Sequence, residues 1–189
     1  MEPIYTKTDN VYQLDLFYDD EAQDPRKQKN LGTMVCFHRR FLLGDVQAEN
    51  TNLYTSWDGW LRGEVLSKKR SGVEFLPLYL YDHSGLAINT TGYSCPWDSG
   101  QVGWIYVTGS KLKRAGLTEA EAIDCLVEEV SHYDYYLKGL ILCYELRQIN
   151  NGSRGLLDIR SGFYGKAVKE QIKQALGKEH AHLISGWAF

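Results

Sequence analysis

Apolar and polar residues alternate over residues 11–18 (Val11, Gln13, Leu14, Asp15, Leu16) with a near two-residue period, which predicts a half-buried strand. The acidic, Pro-containing residues 19–25 then predict a surface loop. Residues 30–40 run through Gly32 into β-branched and aromatic positions and predict a second strand or buried extended segment, ended at Gly44 and Asp45. Trp57, Trp60, Leu61 and Val65 recur at spacings of three and four, so residues 56–69 read as a helix. Residues 74–81 form a strand candidate that Pro77 pushes toward a sheet edge or the strand's start, and residues 102–108 alternate as a further strand. A long helix is predicted over residues 117–138. Thr118 and Glu121 make a capping box, and Ile123, Leu126, Val127, Val130 and Leu137 supply one apolar stripe before Gly139. Residues 140–147 return as a strand, and the turn at residues 150–153 predicts a hairpin into residues 155–159. A last helix spans residues 166–176 and stops at Gly177.

This order implies an α+β fold, mainly antiparallel sheet with two or three helices packed on it. No repeat, heptad run or clear linker divides the 189 residues, which predicts a single domain over residues 1–189. The chain is 43% hydrophobic and 24% charged, an ordinary globular balance long enough to build a core without disulfides or metal. Thirteen Tyr and five Trp make aromatics available both for sheet faces and for stacking on planar ligands. A formal net charge of −3 argues against bulk nucleic-acid binding, which rests on neutralising phosphates. No leader-like or membrane-spanning apolar run is read, so a cytoplasmic location with no membrane partner is expected. Cys36, Cys95, Cys125 and Cys143 lie far apart and read as reduced thiols.

Chemistry-bearing residues crowd into two stretches. The first is His38, Arg39 and Arg40 after Cys36 and Phe37, with Asp45 following. Strand alternation would put Cys36, His38 and Arg40 on one face, where cationic or titratable groups converge on a phosphate or carboxylate. The alternative is a structural histidine with arginines paired to local aspartates. The second stretch is Tyr81, Asp82, His83 and Ser84, followed by Trp97, Asp98, Ser99 and Gln101. Its Asp and Ser residues beside glycines suit turns that present backbone N–H groups to an oxygen ligand, its aromatics suit base stacking, and Trp97, between Pro96 and Asp98, is expected to pack one ring face against the domain. The strands flanking this stretch are joined too closely to cross a domain, so Asp82 and Asp98 are expected side by side.

Catalytic and metal readings are weaker. Asp82, His83 and Ser84 contain the residue types of a hydrolytic triad, but neighbours in sequence cannot form its relay. Cys36, His38, His83 and Cys95 lack the spacing of zinc modules. Glu129 and His132 repeat an i, i+3 metal pattern without the partners it requires, so Glu128, Glu129 and His132 read as a solvated helix face. Phosphate-loop, dinucleotide-fold and HExxH signatures are absent, and no cofactor is implied.

The runs Asn30-Leu-Gly-Thr-Met-Val-Cys-Phe-His-Arg-Arg40, Leu78-Tyr-Leu-Tyr-Asp-His-Ser-Gly85 and Pro96-Trp-Asp-Ser-Gly-Gln-Val-Gly103 resemble an uncharacterised family of phage, prophage and plasmid proteins. Leu157-Asp-Ile-Arg-Ser-Gly-Phe-Tyr-Gly165 is similar to that family's closing motif, with Ile159 to Gly162 departing from its usual Ser-Cys-Trp-Gly order. The resemblance implies a mobile-element context, where small accessory proteins often antagonise host defence. The expected function is therefore binding, either of a small nucleotide signal or of a host defence protein. The alternatives are a metal-dependent phosphodiester hydrolase, with His38 or His83 as acid or base and Asp82 and Asp98 on the ion, and a structural or replication-accessory phage protein. Strand edges and aromatics also make a homo-oligomer an expectation.

Overall fold

The computed structural model describes residues 2–47, 73–150 and 152–188, with Gly59, Arg62 and Gly63 between the first two segments. The helix expected over residues 56–69, including Trp57, Trp60, Leu61 and Val65, falls outside the described residues, as does Asn151 of the expected turn. Among the described residues the class is α+β, with nine strands and three helices. Backbone packing divides the chain into two compact units, one made of Met1–Gln23 with Gly139–Phe189 and the other of Asp24–Lys138.

The first unit holds a four-stranded antiparallel sheet of β1 (Tyr5–Thr8), β2 (Tyr12–Tyr18), β8 (Leu142–Asn150) and β9 (Ser153–Phe163), in that spatial order. Alternation sends Leu14, Leu16, Leu142, Tyr144 and Leu146 to one face, where they are buried with Ile172 and Leu176 of the last helix, Val168–His180. That helix loses helical geometry at Gly177 (φ 71°, ψ 176°), its expected stop, and the chain then coils on to His180. Both terminal strand expectations hold in kind. β8 and β9 are longer than predicted because they continue on either side of the Gly152 turn, whose φ is 83°.

The second unit is built on a five-stranded sheet in the order β4 (Val46–Gln47), β3 (Thr33–Cys36), β7 (Ser99–Thr108), β5 (Val73–Asp82), β6 (Leu86–Asn89). β4 pairs parallel to β3, and the other neighbours are antiparallel. A short helix (Gly109–Ala115) follows β7, and the long helix (Glu119–Leu137) carries the expected capping box, with Thr118 and Glu121 satisfying each other's backbone N–H groups. Ala122, Leu126, Val130 and Tyr133 of the long helix are buried with Met34, Leu78, Leu80, Ile88 and Ile105 of the sheet. Pro77 sits opposite Trp104 on β7, while β6 pairs with β5 only from Tyr79 onward. The missing donor of Pro77 therefore falls where the strand has one neighbour, as the sequence expectation required.

Two expectations for this unit are corrected. The strand from residue 33 ends at Cys36, where Phe37 N donates a last bond to Val102 O, so His38 and Arg40 are placed by a bend and not by strand alternation. The solvated-face reading of Glu129 also fails. Its carboxylate accepts from Leu31 N (2.5 Å), Gly32 N (3.1 Å) and Arg26 Nη1 (2.9 Å). Arg26, buried, also grips Asp45 through two nitrogens at 2.9 and 2.6 Å, and Asp45 accepts from Met34 N at 2.8 Å. Burial disfavours the Arg26 charge, but Asp45 and Glu129 outweigh it and hold its pKa above the ordinary value. Asp45 thus serves Arg26, an arginine far from the Arg39–Arg40 pair in sequence. No helix among the described residues is long and apolar enough to cross a membrane.

Candidate functional site

The site forms in the second unit where β7 outruns β3 beside the end of β5. Register pairs Tyr81 with Ser99 and Leu80 with Gly100, and Asp82 N donates to Asp98 O at 2.8 Å. The turn after Tyr81 and the loop before β7 are therefore side by side, as expected. Local chemistry fixes both. His83 N bonds Gly85 O (3.2 Å) across a tight turn in which Ser84 takes a left-handed φ of 57°. In the other loop Ser99 Oγ donates to Cys95 O, and the Cys95 thiol donates to Asp98 Oδ2 at 3.4 Å.

A third segment closes the site. After β3 ends, the Nδ1 atom of His38 accepts from Arg40 N (3.3 Å) and Phe41 N (3.2 Å). The His38 ring stacks on Phe41 with centroids 5.1 Å apart and planes 14° apart, and the Arg40 guanidinium lies 5.2 Å from the same ring. This small turn brings His38, Arg39 and Arg40 to a cavity of about 600 Å³ shared with Asp82, Trp97 and Asp98. Ser99 and Gln101 complete the predicted residues on its wall. Its apolar floor comes from Phe37, Leu80 and Val102, with Gly100 at the rim, none of which was singled out as a site residue. Their signal in the sequence was only their place beside the polar ones.

Three predicted residues stand apart from this cavity. Tyr81 alternates to the opposite face of β5, where its ring is 5.4 Å from Tyr93 and 6.1 Å from His83. His83 reaches Asp98 Oδ2 at 3.3 Å, and Ser84 forms the turn. The charges in the cavity are unequally committed. Arg40, with a side chain 67% exposed, pairs with Asp82, and Asp98 holds His83 and Cys95. Arg39 is exposed, and among the described residues its guanidinium has no acidic partner. Trp97 is 91% exposed, which corrects the expectation that one of its ring faces packs against the protein. Trp97 shares the lining of this cavity with Arg39 and Arg40.

No group of three or more His, Cys, Asp or Glu among the described residues is arranged to hold a metal ion. All four cysteines are free thiols. Cys36 is buried, and burial, reinforced by Asp45, pushes its thiol up to about 12 despite the opposing charge of Arg26. It is chemically quiet at neutral pH. No protein-family model, no curated protein and no solved structure matches the chain.

Proposed function

We propose that this protein is a binding protein that sequesters a small phosphorylated ligand of the nucleotide class in the cavity between the His38–Phe41 turn and the β5–β7 ribbon. In the mobile-element setting implied by its motifs, capture of such a signal would antagonise host defence. The observation that carries the reading is Arg39: an exposed guanidinium without an acidic partner among the described residues, on the wall of a cavity of about 600 Å³ beside a 91% exposed Trp97. Guanidinium groups recognise phosphate oxygens through paired N–H donors, and an indole face stacks on a base. A cavity of this volume falls within the range of small-ligand sites.

The hydrolase alternative draws less support from the geometry. Asp82 and Asp98, its two ion-holding candidates, already engage Arg40 and His83, so a divalent ion would have to displace both side chains. A grip on a host defence protein remains a second reading because exposed Trp and Arg side chains often dominate protein interfaces. The test is to incubate the protein with cyclic dinucleotides, cyclic trinucleotides and ADP-ribose derivatives, remove unbound material, denature it and identify what is released. Intact recovery of one compound supports sequestration. Altered products would make the protein an enzyme, and retention of none would move the reading to a protein partner.

A further inference from the structure

A second cavity of about 550 Å³ adjoins the first, and the two share the wall formed by Ser99, Gly100 and Gln101. Leu80 and Asp82 line the first cavity and Tyr79 the second, so alternation along β5 places the cavities on opposite faces of the same ribbon end. Their chemistry differs. The first carries both arginines and two carboxylates. The second contains no charged side chain, and its walls include Tyr79, Tyr93, Thr91, Ser94 and Gln101. Tyr93 is set in place by the preceding loop, where Asn89 Oδ1 accepts from Thr91 N (3.1 Å) and Gly92 N (2.7 Å).

The wall between them is passable. β3 pairs with β7 only over residues 103–106, with one further bond at Val102, so among the described residues no strand covers the outer edge of Ser99–Gln101. Gly100 is exposed and bears no side chain at the rim. An elongated ligand can thus cross the free edge from the cationic cavity to the aromatic one.

We infer that the uncharged cavity is a nucleobase subsite and that the ligand is a dinucleotide, with one base on Trp97, its phosphate at Arg39, and the second base between Tyr79 and Tyr93. This rests on the proposed nucleotide-binding function and names its ligand class. Aromatic walls stack on any base, and hydroxyl and amide groups hydrogen-bond a base edge without requiring charge. Either cavity alone is large enough for one nucleoside, so a mononucleotide would leave the second unused.

Isothermal titration of the full-length protein with AMP, GMP, pApA, pGpG, cyclic di-AMP and cyclic di-GMP tests the inference. At least one dinucleotide is expected to bind 100-fold or more tightly than its mononucleotide. Tyr93→Ala is expected to weaken that dinucleotide at least tenfold while leaving the mononucleotide within twofold. Ser94→Asp, at an exposed position that spares folding, should do the same by setting a negative charge in the cavity. Equal affinity for mono- and dinucleotides, or indifference to both variants while Arg39→Ala abolishes binding, would overturn the subsite and leave the nucleotide-binding reading standing. Absence of binding by every probe would overturn both.

Discussion

Arg39, Arg40 and Arg26 show how differently one residue type can be used within a single chain. Arg26 is buried between Asp45 and Glu129, and truncating it would strand two carboxylates in a partly desolvated pocket. Arg26→Ala should therefore cost about 3–5 kcal/mol, read as a fall in the thermal or denaturant midpoint. Arg39→Ala removes an exposed group and should shift stability by no more than about 0.5 kcal/mol while abolishing ligand retention. Arg40→Ala breaks an exposed pair with Asp82, an interaction worth about 0–1 kcal/mol, and leaves a bare carboxylate in the cavity that repels phosphate. Trp97→Ala is likewise expected to change stability by no more than about 0.5 kcal/mol, because so little of the indole is covered, yet to weaken binding severely. Thermal melts beside a retention assay check all four substitutions. A large stability loss in Arg39→Ala would make that arginine structural.

At the scale of elements, the local signals that were physically strong in the sequence were legible. The Thr118–Glu121 capping box, Leu126 and Val130 of the apolar stripe and the alternation over residues 102–108 each depend on neighbours a few residues away, whereas Val127 of that stripe is exposed and Gln13 and Asp15, the polar positions of β2, are buried. The adjacency of Asp82 and Asp98 followed from chain length alone. What was not legible was set by distant partners. β3 stops at Cys36, where Phe37 N donates a last bond to Val102 O of the distant β7, and Glu129 is withdrawn from solvent by an arginine 103 positions away. Trp97 looked like a packing residue because its type usually is, and no short-range pattern says that its loop projects it outward. Gly103 illustrates a constraint visible only in the sheet: a Cβ there would lie 1.9 Å from Val35 O, so Gly103→Ala should lower stability strongly or prevent folding, measured by circular dichroism and melting. In the first unit, Asp9 caps the turn before β2. Bonds from Val11 N, His182 and Tyr12 N hold its carboxyl down at about 2, against an ordinary value of 3.8. A depressed carboxyl contributes stability that is present above about pH 4 and is lost as pH falls through about 2. The stability gap between the protein and Asp9→Asn should accordingly close over that acid window in pH-dependent denaturant melts.

Across the whole molecule, each unit has its own sheet and its own buried cluster, and the proposed site lies entirely within the unit formed by Asp24–Lys138. Ten of the twelve residues lining the first cavity come from two stretches, Phe37–Arg40 and Trp97–Val102, and β5 supplies the other two. A site assembled from a turn, a loop and a ribbon end can change its ligand without disturbing the core beneath it. On the proposed function, a chain of net charge −3 holds an anion by local attraction, from arginines over an apolar floor, which does not depend on the overall field. The most direct measurement is calorimetric titration of the protein and of Arg39→Ala with the cyclic dinucleotide panel, with melting temperatures recorded on the same samples. The account predicts saturable one-to-one binding of at least one compound by the protein, and its loss in Arg39→Ala at an unchanged melting temperature. Binding that is indifferent to Arg39, or no binding of any compound by a folded protein, would contradict it.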